Sequence, residues 1–217
     1  MLITISDELK SIVPSFTVGV ISYSNINVQQ SATEIKLDLK EISSSQQKHD
    51  NVTDINGIKE GRSLFKALGI DPSRYRPSSE ALLRRIIKGD DLPSIHSAAD
   101  VNNLFSIKYA LPIGIYDQDK LENPLEIRIG KNSDMYEAIN NRETNMSGKL
   151  LSADSIGPFG SPIVDSKRTM VTIDTKNALQ LIYFHLELDE TKKDAIMKDL
   201  SEYFTFHHGG KASSLII

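Results

Sequence analysis

The sequence predicts an α+β fold, and three observations carry that prediction. Apolar residues recur every three or four positions in several separate stretches, the spacing of one buried helical face. β-branched and aromatic runs at Phe16–Ile26 and Ala178–Leu188 have the composition of strands. The two kinds of segment follow one another without regular βαβ alternation, which favours α+β over a doubly wound parallel sheet.

In chain order, Leu2–Ile5 reads as a short strand. Ser6 then caps a brief helix through Ile12, with Asp7 and Glu8 suited to its positive end. Phe16–Ile26 reads as a buried strand in which Gly19 marks the close approach of another backbone. Ser31 opens a helix with Ala32, Ile35, Leu39 and Ile42 on one face, and the polar run 43–51 reads as a loop. Thr53 or Asp54 caps the next helix, which carries Ile55, Ile58, Leu64, Phe65 and Leu68 inward and ends at Gly69. Pro77 precedes a helix with Leu82, Leu83, Ile86 and Ile87 inward, closed by Gly89. Ser97 opens a helix that runs to Pro112, and Ile113–Tyr116 is a short strand. Leu125–Ile129 alternates, with Glu126 and Arg128 outward. Turns and short strands fill 130–156, a Gly/Pro loop spans Gly157–Asp165, and Thr169–Asp174 reads as a strand. Ala178–Leu188 is apolar on both faces and therefore central. Asp189 caps a final helix with Ala195, Ile196, Leu200, Tyr203 and Phe204 inward, and a last strand follows Gly209-Gly210. The whole of 1–217 reads as one domain.

Composition narrows the function. The apolar fraction of 39% and charged fraction of 25% are those of an ordinary globular chain. No apolar run approaches the ~20 residues of a membrane span, and no signal peptide is seen, so the expectation is a cytoplasmic protein without a membrane partner. The absence of Cys excludes thiolate nucleophiles and Cys-ligated metals. A net charge of −4 argues against a protein that grips nucleic acid mainly through phosphates. There is no phosphate-cradling glycine motif, serine-hydrolase elbow or zincin motif. The histidines show no ligand spacing. His207-His208 reads as a solvated pair and His185 as a hydrogen-bonded residue of the central strand. No metal or cofactor is called for.

Three polar constellations remain. Arg76, Ser78, Ser79, Glu80, Arg84 and Arg85 gather at one helix start, where backbone N–H groups and hydroxyls can hold an anion. Capping plus a Glu80–Arg84 pair at i,i+4 is, from the residues alone, the simpler explanation. Asp100, Asn102, Asn103 and Ser106 surround one helix, and two successive Asn are poor helix formers, although a solvated face accommodates them. Asp165, Ser166, Arg168 and Thr169 follow the Gly/Pro loop, where Asp165 and Arg168 can simply pair across a turn.

In this order, the constellations resemble the B3/B4 domain of the bacterial phenylalanyl-tRNA synthetase beta subunit. Small free-standing proteins made of that domain are more similar still. The carrying residues are Asp100, Asn103 three residues on, Pro112 nine further, and Asp117, Asp119 and Lys120 of a DxDK element. Tyr75-Arg76-Pro77-Ser78-Ser79 stands before them, and Asp165-Ser166 with Arg168-Thr169 after. The resemblance covers roughly 50–185.

It implies a three-layer α+β domain with sandwich-like mixed sheets and flanking helices. It also implies an editing activity, the hydrolysis of a wrongly attached amino acid from tRNA, with no aminoacylation. In that reading Asn103 and Asn102 orient the amino acid or water, and the Gly157–Ser161 loop, with Gly160 and Ser161, supplies backbone donors. Asp165 holds the α-ammonium group, and Arg168 a phosphate or ribose. Asn103 and Asp165 are the catalytic candidates. Arg76, Ser78, Gly114, Ser166 and Thr169 complete the binding candidates. Two positions depart from the bacterial editors: their His falls on Gly114, and their Glu is missing from the FGSP loop. The expected partner is the 3′ end of a tRNA or aminoacyl-tRNA, not DNA. The alternative is a noncatalytic module for RNA, a nucleotide or an amino acid.

Overall fold

The structure, a computed structural model, describes residues 2–217. The chain opens with β1 (Ile3–Ile5), α1 (Asp7–Ile12) and β2 (Val18–Ser24). As the sequence predicts, Ser6 caps α1 by accepting the Leu9 N–H at 3.2 Å. Four helices follow: α2 (Thr33–Gln46), α3 (Ile58–Ala67), α4 (Ser78–Ile87) and α5 (Ser97–Tyr109). Then come β3 (Ile113–Asp117), β4 (Leu125–Ile129), β5 (Met135–Glu137), β6 (Glu143–Asn145), β7 (Leu150–Ala153) and β8 (Pro158–Gly160). The chain closes with β9 (Asn177–Tyr183), α6 (Glu190–His208) and β10 (Lys211–Ile216).

One four-stranded sheet has the order β1-β4-β7-β8 and the other β10-β2-β9-β3; β5 and β6 form a separate pair. Because side chains alternate along a strand, the second sheet feeds two cores. Ile21, Tyr23, Ala178 and Ile182 pack with the buried faces of α2, α4, α5 and α6. Val18, Val20, Leu179 and Leu181 pack against Ile3, Ile127, Leu150 and Phe159 of the first sheet. The layers are helices, sheet, sheet. This is the α+β, three-layer arrangement, and it explains why β9 is apolar on both faces: neither face meets water. No helix of the described residues is long and apolar enough to cross a membrane.

Several local readings need correction. The helix α2 continues to Gln46, so 43–46 are helical rather than loop; Ser43, Ser44 and Ser45 return their hydroxyls to backbone carbonyls three or four residues back. The helix after the loop starts at Ile58. Gly57, in the left-handed region at φ 93°, precedes it, and Glu60 accepts the Gly57 N–H at 3.0 Å. Gly19 is approached by a side chain, not a backbone: a Cβ there would meet the Met197 sulfur of α6 at 2.4 Å. Arg128 does not point to solvent; it is buried in a pair with Asp134, Nη1 to Oδ2 at 2.5 Å. Thr169–Asp174 forms no strand. A 3-10 turn over Lys167–Thr169 and a single bridge from Met170 to Tyr116 take its place. Ala195 lies on the exposed side of α6. His208 is buried rather than solvated, with Nδ1 on the Phe204 carbonyl and Nε2 on the Ser97 hydroxyl, both at 2.8 Å.

Candidate functional site

A cavity of about 540 Å³ opens between α4, α5, β3 and the segments 161–165 and 170–171. From α4 it takes Ser78, Ala81, Leu82 and Arg85, and from α5 Ala99, Asn102, Asn103 and Ser106. Each set has the i, i+3, i+4, i+7 spacing of one helix face, so two helical stripes form facing walls. The strand β3 adds Ile113 and Ile115, and the late loop adds Ser161, Ile163, Val164 and Asp165. Exposed Ile95, Ile139 and Met170 stand at the rim.

The start of α5 is set by a buried carboxylate. Asp100 accepts from the hydroxyls of Ser31 and Ser94, each at 2.5 Å, and from the Ile95 N–H at 2.9 Å. It ties the incoming loop to the helix and does not reach the cavity. His96, which the sequence reading passed over, caps the helix: Nδ1 accepts the Ala99 N–H at 3.2 Å. That leaves the proton on Nε2, which donates to the Val171 carbonyl at 3.1 Å. A His directly before a helix start was the available signal.

Asp165 is held by Tyr116, whose hydroxyl donates to Oδ1 at 2.7 Å. Loss of hydration pushes the Asp165 carboxyl up to about 7, against the opposing pull of the Tyr116 hydroxyl and the Ser161 N–H. The buried Tyr116 phenol is itself pushed well above its ordinary value, so it stays a donor. Tyr116 is possible only because of two glycines. Its ring folds back over Gly114 and reaches Gly160 of β8; a Cβ would lie 2.0 Å from the hydroxyl at the first and 2.3 Å at the second. Neither glycine lines the cavity. They make room for the ring that positions Asp165, and nothing local in the sequence links these three positions.

The structure thus brings Ser78, Asn102, Asn103, Ser161 and Asp165 to one cavity. Asn102 is already engaged: its amide donates to the Ile113 carbonyl at 2.8 Å and accepts from Gln180 at 2.9 Å. Ser161 organises its own loop, accepting the Ile163 and Val164 N–H groups at 3.2 and 3.1 Å. Among the expected backbone donors of the Gly157–Ser161 loop, the Ser161 N–H is engaged by Asp165. Gly157 N–H goes to Asp154 at 3.0 Å, and Gly160 belongs to the β7–β8 ladder.

Other candidates lie elsewhere. Arg168 forms a two-pronged pair with Asp154 at 3.0 and 2.9 Å and lines a separate cleft of about 430 Å³ with Ser166, Tyr136 and Gly157. That pair holds the Asp154 carboxyl below its usual range. Ser166 caps the 3-10 turn, and Thr169 is fully buried, donating to the Phe159 carbonyl at 3.2 Å. Arg76 is exposed and outside the cavity. In the first constellation Glu80 is buried and pairs with Arg62 and Arg84, each at 2.8 Å. Arg85 keeps no carboxylate partner among the described residues and lines the cavity. Among the described residues no group of three or more His, Asp or Glu could hold a metal ion.

Comparison with known proteins shows what the chain is similar to. The chain is 30% identical over 159 residues to the uncharacterized protein YhzB of Bacillus subtilis (strain 168), covering 73% of this chain and 70% of that protein. It is 32% identical over 117 residues to the phenylalanine–tRNA ligase beta subunit of Bifidobacterium longum (strain NCC 2705), covering 50% of this chain but only 13% of the subunit. A crystal structure of an N-terminal fragment of the Pyrococcus horikoshii phenylalanyl-tRNA synthetase beta subunit overlaps 99% of this chain and 53% of the fragment, with a TM-score of 0.47 and 16% identity. The family model described as B3/4 domain matches residues 60–205, from α3 through most of α6 and including every wall of the cavity, and the chain belongs to that family.

Proposed function

We propose that the cavity takes the aminoacyl end of a mischarged tRNA and that the protein hydrolyses the ester in trans. One observation carries this reading: Asn103 of α5 and Asp165 of the late loop, far apart in sequence, line the same cavity. A match across 70% of YhzB, against 13% of the ligase subunit, supports action apart from an aminoacylating enzyme.

An aminoacyl ester is already activated, so water positioned beside a base suffices. Asp165, with its carboxyl pushed up to about 7, is tuned to accept a proton near neutral pH. It takes the proton from water as the oxygen attacks the ester carbonyl. The Asn103 amide donates to the developing oxyanion. The tetrahedral intermediate collapses by breaking the bond to the ribose oxygen, which recovers the proton from Asp165. Free amino acid and tRNA leave. A carboxyl titrating near 7 is a better base than an anchor for an ammonium group, so the base is the role assigned here.

A panel of mischarged tRNAs tests the reading, with ester loss followed over time. Loss above buffer on at least one substrate is expected, reduced about 100-fold or more by Asn103→Ala and Asp165→Ala. No loss on any substrate removes the hydrolase. One observation favours a second reading, a binder without hydrolysis: the Tyr116 ring occupies the space a side chain at Gly114 would need, so the His of the bacterial editors has no counterpart. That reading expects ligand binding with no ester loss.

A further inference from the structure

We infer that the cavity selects an aliphatic aminoacyl group and rejects one whose side chain carries a hydroxyl. This rests on the reading above and adds the class of amino acid. The observation behind it is that the two polar side chains of the cavity floor each hold partners within the protein, while the rest of the floor is aliphatic.

The floor lies where α5 rests on β3. Two polar side chains sit there, Asn102 and Ser106, only 8% and 1% exposed. The Asn102 amide is locked between the Ile113 carbonyl at 2.8 Å and the Gln180 amide at 2.9 Å. Gln180 is locked in turn by the Tyr23 hydroxyl at 2.9 Å. This buried chain fixes the orientation of the Asn102 amide, which therefore cannot turn toward a ligand. The Ser106 hydroxyl donates to the Leu111 carbonyl at 2.7 Å. At the other end of α5, both nitrogens of His96 are in use.

What the floor offers a ligand is Ile113, Ile115, Val171 and Leu82, and no Phe, Tyr or Trp lines the cavity. Asn103, one position from Asn102 but more exposed, makes no side-chain hydrogen bond among the described residues. The site therefore divides. Asn103 and Asp165 meet the ester, and the amino-acid side chain enters an aliphatic floor. A phenol or alkyl hydroxyl placed there loses its water and meets mainly aliphatic surface, where the two polar groups are already turned to partners within the protein. Apolar pockets discriminate against an added hydroxyl by about 100-fold.

The test uses the intact protein with leucyl-, tyrosyl- and seryl-tRNA. In parallel, the binding of nonhydrolysable 3′-amido analogues of leucyl- and tyrosyl-adenosine is measured. Leucyl ester loss is expected to exceed tyrosyl and seryl by about 30- to 100-fold, and the leucyl analogue to bind more tightly by a similar factor. Ile115→Thr puts a hydroxyl on the floor and is expected to bring the leucyl-to-tyrosyl ratio below about tenfold, with its fold checked by thermal melting. Tyrosyl or seryl ester cleaved as fast as leucyl overturns the aliphatic assignment while leaving the hydrolase standing. Preferential binding of the leucyl analogue with no ester loss supports the floor and removes the hydrolase. A folded Ile115→Thr variant with an unchanged ratio overturns the placement of the side chain on β3. No ester loss and no analogue bound overturns the function and this inference together.

Discussion

Asp165 shows how far surroundings can move one side chain. Its carboxyl, pushed up to about 7 by burial, sits near neutrality, so deacylation is expected to rise as pH increases through about 7 and then level. Asp165→Asn is expected to leave a flat profile about 100-fold lower or more. The same shift acts on stability. Folded Asp165 keeps its proton over a range, about pH 4 to 7, in which the unfolded chain releases it, so its contribution falls as pH rises through that window. His208 does the opposite. Burial pushes it down to about 4, so unfolding binds a proton between about pH 4 and 6.5, and its contribution rises with pH. The upper bounds are about 4 kcal/mol for Asp165, less because its cavity side stays open to water, and about 3 kcal/mol for His208. The wild-type melting temperature is therefore expected to change little between about pH 4.5 and 6.5. Asp165→Asn uncovers a rise with pH, and His208→Gln a fall. Identical profiles in all three proteins would contradict both assignments.

Strands β3 and β8 act together to hold one ring. Gly114 and Gly160 leave the space that Tyr116 fills, and its hydroxyl steadies the ionised form of Asp165. A methyl at Gly114 forces a buried, edge-packed ring to move against Phe159, its neighbour at 4.8 Å between centroids. Gly114→Ala is expected to lower stability by about 1–3 kcal/mol, read from denaturant melts. Tyr116→Phe keeps the ring and removes the donor. It is expected to shift the pH–rate profile to higher pH by about 1 unit while preserving the plateau. A shift to lower pH would show that the hydroxyl does not favour the carboxylate.

For the molecule as a whole, net charge is −4, and several cations are committed internally: Arg128 to Asp134, Arg168 to Asp154, and Arg62 and Arg84 to Glu80. Arg85 at the cavity, with exposed Arg76 and Lys88 flanking α4, remains for phosphates. Binding of tRNA is expected to rest on about two or three phosphate contacts, with log K falling against log salt at a slope of roughly −2 to −3. Anisotropy titrations between about 50 and 200 mM salt measure this. A slope near −8 would show that binding rests on many more cations than these three.

The helices and strands were legible from local pattern because hydrophobic periodicity and capping act over a few residues. Ser6, Gly69, Gly89 and Asp189 mark ends where the sequence places them, and β9 announces its central position by being apolar on both faces. The polar stripe of α5 was legible too, as was the gathering of Asn103 and Asp165 through family resemblance. What local pattern does not carry is which polar group is spent inside the fold. Asp100, Asn102, Arg168 and Thr169 look like site residues in sequence, yet their partners lie 5 to 78 positions away, outside their own elements. Tyr116 looks like core, yet its hydroxyl holds Asp165. A hydrogen bond is decided by distances of a few tenths of an ångström between segments the chain brings together only on folding. The tertiary structure alone therefore decided which polar side chains remain free to meet a ligand.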